Sequence, residues 1–299
     1  KMDNVYFTNS GTEAVEGAMK LAKRFTRRAE FVSCINAYHG ATRGALSLSG
    51  DENFIRSFRP LIPSIRNIRH GVIEDLAQIT SNTAGVVIEV VGGESGINVP
   101  SDEYIQALRQ RCTEVGALLI IDEIQTGFGR TGSFWAFEQF GIYPDILLSA
   151  KALGGGMPIG AFMASQTIMQ VLKSNPILGH ITTFGGHPVC CAASLAALEI
   201  TLEENLSEQA IVKGELIRSL LVHPKIKEVR GRGLMLAAQL GSFEELKSAI
   251  DACIEKGLII DWFLFCDDAM RIAPPLIITE AQIREAVSII LEVLDNLPE

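Results

Sequence analysis

Short apolar runs alternate with helix-period stretches through the first two hundred positions. Residues 84–91, 117–121, 145–150 and 160–164 read as strands, and 102–115 between the first two carries apolar residues at helical spacing. The 117–121 run is almost wholly apolar, as a parallel strand buried on both faces is. Such alternation predicts an α/β fold, a mainly parallel central sheet covered by helices. Helical patterns follow at 188–202 and 207–222. From about Glu203 the chain reads as α+β: a strand over 233–240, a helix over 242–256, extended pieces at 271–272 and 276–278, and a closing helix over 279–297. We therefore expect a large domain over 1–203 and a smaller C-terminal domain over 204–299, with the helix near Pro188 carrying the chain between them. No repeat or low-complexity tract interrupts this pattern.

The polar residues that end these strands carry the candidate chemistry. Lys151 follows Asp145-Ile146-Leu147-Leu148-Ser149-Ala150 directly. A lysine closing a buried strand costs desolvation unless it is neutral, paired or covalently modified. Schiff-base chemistry with an aldehyde cofactor uses that cost, since it needs an amine whose pKa is pulled down. Taken alone, the residue reads more readily as a lysine whose stem lies on the strand end and whose head reaches water.

The 117–121 run shifts that balance, because it ends in Asp122 and Glu123. Carboxyl ends of strands are where open α/β sheets bind ligands. A buried Asp paired with a pyridine nitrogen keeps that nitrogen protonated, so the ring can accept electrons. The plainer alternative is an Asp capping the next turn.

Ser10-Gly11-Thr12-Glu13 precedes a helical stretch at 15–27, with capping-box spacing between Ser10 and Glu13. The helix N-terminus, Gly11 and the Thr12 hydroxyl also suit a phosphate. Tyr38, in Asn36-Ala37-Tyr38-His39-Gly40, could stack on a flat heteroaromatic ring or simply pack on the core. Thr182 and Thr183 precede a Gly-Gly turn at 185–186, and their hydroxyls suit phosphate contact.

Taken together, SGTEA (10–14), AYHG (37–40), the E…GGESG stretch (89–96), IDEIQTGFGRTG (121–132), SAKALGGGMPIGA (149–161), TTFGGHP (182–188) and RIAPPL (271–276) resemble the class III aminotransferases. That family depends on pyridoxal 5'-phosphate and has the PLP-dependent transferase fold type I. The resemblance implies that Lys151 carries the cofactor as a Schiff base and shuttles the substrate proton. It implies that Asp122 pairs with the pyridine nitrogen, Gln125 touches the ring hydroxyl, and Ile124 packs on the ring face opposite Tyr38. Gly11 and Thr12 would hold the phosphate, and Thr183 would complete the phosphate site of a neighbouring subunit, which makes a homodimer part of the mechanism. Arg271 matches the arginine that grips the α-carboxylate of glutamate or 2-oxoglutarate. Glu94 matches a glutamate that neutralises that arginine when an ω-amine enters, and Thr182 joins the substrate-binding set.

Two departures bear on the substrate. Many acetylornithine, ornithine and 4-aminobutyrate transaminases carry an arginine directly after the aromatic-His-Gly step. Here that position is Ala41, and Arg43 is the next basic residue. Family members also usually begin with a segment ahead of the motif that starts here at Ser10. The expectation is that such a segment is missing from this chain, or that the protein is shortened.

Composition narrows the partners. A chain of 299 residues, 47% hydrophobic, can bury a full core. Its net charge of −9, with no basic block to offset it, argues against a nucleic-acid binder. The basic cluster Lys20, Lys23, Arg24, Arg27 and Arg28 reads as a solvated helix end. The six cysteines contain no CxxC pair and read as reduced packing residues of a cytoplasmic protein. The histidines show no metal-ligand spacing, and no apolar run reaches membrane-spanning length. The expected reaction is transamination between an ω-amino or diamine-derived amino acid of the acetylornithine or ornithine kind and 2-oxoglutarate. The alternatives are an aminomutase of the glutamate-semialdehyde type and a non-catalytic dimeric module.

Overall fold

A computed structural model describes residues 2–297. Among these, the strands are β1 (Asn4–Thr8), β2 (Glu30–Cys34), β3 (Ile65–Ile68), β4 (Thr83–Ile88), β5 (Leu118–Asp122), β6 (Ile146–Ser149), β7 (Gly160–Ala164), β8 (Glu228–Arg232), β9 (Met235–Gln239), β10 (Asp261–Phe263) and β11 (Cys266–Ile272). The α-helices are α1 (Gly11–Thr26), α2 (Arg43–Ser47), α3 (Glu52–Ile55), α4 (Asp102–Val115), α5 (Gln166–Met169), α6 (Pro188–Glu203), α7 (Leu206–Leu220), α8 (Phe243–Glu255) and α9 (Glu280–Asn296).

The central strands are apolar on both faces because both faces are covered. Along β4 and β5, Val86, Ile88, Leu119 and Ile121 enter the core beneath α4, while Ala84, Val87, Leu118 and Ile120 enter the core beneath α1. Full burial of each such branched side chain stabilises the fold by about 1.5–3 kcal/mol. The first sheet runs in the order β1-β7-β6-β5-β4-β2-β3. It is parallel except for β7, which is antiparallel to both β6 and β1. The expected mainly parallel α/β sheet is therefore present. A second, antiparallel sheet in the order β10-β11-β9-β8 packs with α7, α8 and α9 around its own core. Val91 and Ile97, from the loop after β4, pack with Met235, Ala237, Phe263 and Ala269 and tie the two sheets together.

Several expectations need correction. The first helix begins at Gly11, four residues before the expected 15, because the Ser10 side chain accepts from the Glu13 amide and caps it there. The capping box does not close on Ser10: Glu13 reaches instead to the backbone and side-chain nitrogens of Asn9, both at 2.8 Å. Residues 276–278 are not extended. Two prolines precede a turn in which the Ile278 amide donates to the Pro275 carbonyl. The basic cluster is not simply solvated. Arg28 donates to the carbonyls of Thr83, Val115 and Gly116, Arg24 to that of Asn175, and Lys20 to that of Gly179. These are loop ends that a cation suits, because a strand or helix terminus leaves its carbonyls unpaired.

Candidate active site

Parallel pairing in register brings the two key strand ends together. Asp122 closes β5 opposite Leu148 of β6, so Lys151 stands just past the neighbouring strand's end on the same edge of the sheet. Both residues line one cavity of about 420 Å³, together with Gly11, Thr12, Tyr38, Ile124 and Gln125. Lys151 is exposed, because the chain turns at Ala150 into a 3-10 turn in which Lys151 adopts the left-handed region at φ 46°. Such a conformation is uncommon for a residue with a Cβ, and it lifts the amine off the strand and towards the cavity.

Asp122 is held from two sides. Its Oδ1 accepts from the Ile124 amide at 3.0 Å, and its Oδ2 lies 2.7 Å from His39 Nδ1. Burial alone would lower the His39 pKa, but the hydrogen bond and charge of Asp122, helped by the charge of Glu89, reverse this and raise it. The two side chains form a buried pair at the end of β5. Glu89 completes the cluster. Burial pushes its carboxyl up to about 7, and its oxygens accept from the amides of Gly93 at 3.2 Å and Tyr38 at 3.5 Å. Next to Asp122, Glu123 does a different job. Burial raises it too, to about 7, and it holds the following loop through Thr126 Oγ1 and the Phe137 amide.

A second cavity of about 440 Å³ shares Ile124, Gln125 and Lys151 with the first and adds Arg271. Arg271 forms a two-pronged pair with Glu94, at 3.1 and 2.7 Å, and its guanidinium lies 4.7 Å from the centre of the Phe263 ring. Burial would raise the Glu94 pKa, but Arg271 outweighs it, helped by Gln125 Nε2 at 3.1 Å and the Leu264 amide at 3.3 Å, and the net shift is downward. A fork meeting a carboxylate this way is geometrically specific.

The remaining expected residues lie elsewhere. Thr182 Oγ1 takes a 2.8 Å hydrogen bond from Asn9 Nδ2, beside the first cavity, while Thr183 is exposed in the loop leading to α6. Arg43 is exposed at the start of α2 and lines neither cavity, so it does not stand in for an arginine at Ala41. Sequence reasoning assigned no role to His39, Glu89 or Asn9. The first two lie inside quoted motifs, but nothing local marks them as partners of Asp122.

These residues fit pyridoxal phosphate. A carboxylate backed by a histidine suits a protonated ring nitrogen, and the amine on the adjoining strand suits an aldehyde. The start of α1 offers free amides to a phosphate. A Cβ at Gly11 would lie 2.8 Å from Ile124 Cδ1, so a larger residue there would press on a side chain that also lines the cavity. His39 Nε2 is buried without a partner among the described residues, the kind of orphaned polar atom found where a site is built for function.

Fold and site together define a pyridoxal-phosphate-dependent transferase of the α/β type. The chain belongs to the class III aminotransferases: the family described as aminotransferase class-III matches residues 1–294. It is 39% identical over 296 residues to the acetylornithine aminotransferase of Methanopyrus kandleri, covering 98% of this chain and 75% of that protein. It is likewise 39% identical to the putrescine aminotransferase of Pectobacterium atrosepticum, covering 98% of this chain and 67% of that one. Among solved structures it is similar to the ornithine aminotransferase from Toxoplasma gondii. The TM-score is 0.92 at 33% identity, over 98% of this chain and 73% of that chain. A second structure of that ornithine aminotransferase is described with partial occupancy of PLP at its active site. The protein is thus an aminotransferase, and its cofactor is pyridoxal phosphate.

Proposed function

We propose that this aminotransferase moves the terminal amine of an acetylornithine- or ornithine-like donor to 2-oxoglutarate, giving glutamate. The observation that carries the reading is the Glu94–Arg271 pair beside the cavity that Asp122 and Lys151 line. Names of relatives support the donor class.

Bound pyridoxal phosphate supplies an aldehyde and an electron-accepting ring. The chain's residues supply the rest. Lys151 would hold the cofactor through its amine, and the same amine would take and return the proton at substrate Cα. Asp122, backed by His39, would pair with the ring nitrogen. Ile124 and Tyr38 would pack against the ring, Gln125 would meet its hydroxyl, and Gly11, Thr12 and the start of α1 would take the phosphate. Arg271 alternates between two partners. A substrate whose carboxylate lies beside its reacting amine or carbonyl displaces Glu94 from the guanidinium, and a donor that presents its terminal amine, with its carboxylate at the far end, leaves Glu94 in place. One site can thus accept a dicarboxylate and a terminal amine in turn, without burying an unpaired charge.

The same reading takes the active protein as a homodimer, with Thr183 completing the partner's phosphate site. The exposure of Ile177, Ile181, Phe184 and Val189, in the loop and first turn of α6, supports an interface there. It takes residues 1–203 and 204–299 as two domains, which the separate cores of the two sheets support. It places the protein in the cytoplasm, which the free cysteines suit. No helix of the described residues is long and apolar enough to cross a membrane.

The test is a panel of amines with 2-oxoglutarate, scored for glutamate, on the wild type and on Lys151→Ala. We expect turnover with ornithine or acetylornithine and a loss of about a hundredfold or more in the variant. Full activity of Lys151→Ala, or no glutamate from any amine, would overturn the reading.

A further inference from the structure

The loop that follows Asp122 leaves the cofactor cavity and reaches the second sheet, where one side chain fastens it. We propose that Arg130 is a positioning residue that holds the strand bearing Arg271 at a fixed offset from the Asp122–Lys151 cavity. It thereby sets how well a dicarboxylate spans the site. The proposal rests on the reading of Arg271 given above.

Arg130 is partly buried and lines the same cavity as Arg271. Its Nη1 donates to the Leu234 carbonyl at 3.0 Å and to the Pro274 carbonyl at 2.5 Å, while its own carbonyl accepts from the Leu234 amide. These contacts reach both strands of one antiparallel pair. Leu234 leads into β9, Pro274 lies three residues past Arg271 on the exit from β11, and Ala237 of β9 pairs directly with Arg271. The guanidinium thus bridges the two strand ends nearest the carboxylate-binding arm. Its partners here are main-chain carbonyls, which fix its place without neutralising its charge. Burial lowers its pKa only to about 10, so it stays a cation at neutral pH.

The loop is also clamped at its root and flanks. Glu123 holds Thr126 and Phe137. A Cβ on Gly233 would lie 2.7 Å from the Arg130 carbonyl oxygen, and one on Gly132 would lie 2.6 Å from Ile211 Cγ1. With backbone packed against backbone at Gly233 and the Ile211 side chain against Gly132, the loop transmits position well. A single nitrogen, Nη1, serves both carbonyls, so the rigid guanidinium plane fixes where that nitrogen sits.

The test uses the holoenzyme and two variants, Arg130→Met and Arg130→Lys. Readouts are steady-state kinetics, glutarate binding by calorimetry, and hydrogen exchange of a peptide covering 268–277. For Arg130→Met we expect the KM for 2-oxoglutarate and the Kd of glutarate to rise by about tenfold or more, with a much smaller change in kcat. Exchange of the 268–277 peptide should quicken. Arg130→Lys should recover part of the glutarate affinity, since an ammonium still reaches one carbonyl. An unchanged glutarate Kd in Arg130→Met overturns the proposal. So does a proportional loss for donor and acceptor that merely tracks the thermal midpoint. If Arg130→Met does not fold, Arg130→Lys decides: a several-fold weaker glutarate affinity supports the proposal, and wild-type affinity overturns it. Arg271→Ala separates the two layers of the argument. If it binds glutarate as tightly as wild type, the reading of Arg271 fails and the proposal with it. If it binds weakly while Arg130→Met binds normally, only the positioning role fails.

Discussion

His39 Nδ1 lies 2.7 Å from Asp122 Oδ2, and both side chains are buried. The contact joins a turn after β2 to the end of β5, and it supplies the strand-end acid with its charge partner. Replacing the imidazole by an amide removes the titratable ring while retaining a donor. We expect His39→Asn to weaken pyridoxal phosphate binding by about ten- to a hundredfold, the worth of one hydrogen bond between charged groups. Fluorescence titration of the apoprotein with the cofactor measures this, and unchanged affinity would mean that His39 only fills the core.

Glu94→Gln leaves Arg271 without its carboxylate. A donor that presents its terminal amine, with its carboxylate at the far end, then meets an unpaired, partly buried guanidinium, at a cost of up to about 3 kcal/mol. A glutamate half-reaction does not, because glutamate carries its own anion. Stopped-flow half-reactions should show the ω-amine slowed far more than glutamate. Equal slowing of both would count against the exchange of partners on Arg271.

Glu89 makes stability depend on pH. Its folded pKa of about 7 lies above the ordinary carboxylate value of 4.5, and the first cause is burial. The folded state therefore binds the proton more tightly than the unfolded chain does. Its contribution to stability is intact below about pH 4.5, declines as pH rises towards 7, and is flat above. Glu89→Gln should remove that decline, so the variant should gain relative stability across this window, approaching about 3 kcal/mol at the top. Denaturant melts between pH 4.5 and 8 provide the measurement. A constant difference between variant and wild type would contradict the raised pKa.

Gly40 sits at φ +123°, and an added Cβ would come 2.4 Å from Thr12 Oγ1. Gly40→Ala must bend the backbone or displace Thr12 from the cavity wall. We expect a loss of about 1–3 kcal/mol in stability, together with weaker cofactor binding. A lower thermal midpoint without any change in cofactor affinity would show that the strain is absorbed away from Thr12.

Much of the fold was legible where burial is two-sided or caps are strong. The 102–115 helix has the same limits in the structure as in the pattern, with Ser101 capping its start and Gly116 in the left-handed region at its end. The run at 160–164 is a strand throughout. By contrast β1 and β2, each only five residues long and with exposed or polar positions mixed in, showed no clear period. The antiparallel insertion of β7 between β1 and β6 was equally hidden, since strand direction leaves no trace in the hydrophobic pattern.

The sequence by itself determined the helices and buried strands from β4 to β7, and it set a lysine and an aspartate at the ends of two such strands. Local periodicity and residue chemistry encode those features within a few neighbours. Only the tertiary structure decided which side chains meet. His39 and Asp122 are 83 positions apart, Arg130 and Pro274 are 144 apart, and Arg271 and Glu94 are 177 apart. Such pairings depend on sheet order, register and the crossing of two cores, which no short window of residues contains. The same holds for Lys151, which the turn beyond β6 places on the wall of the cavity that Asp122 also lines.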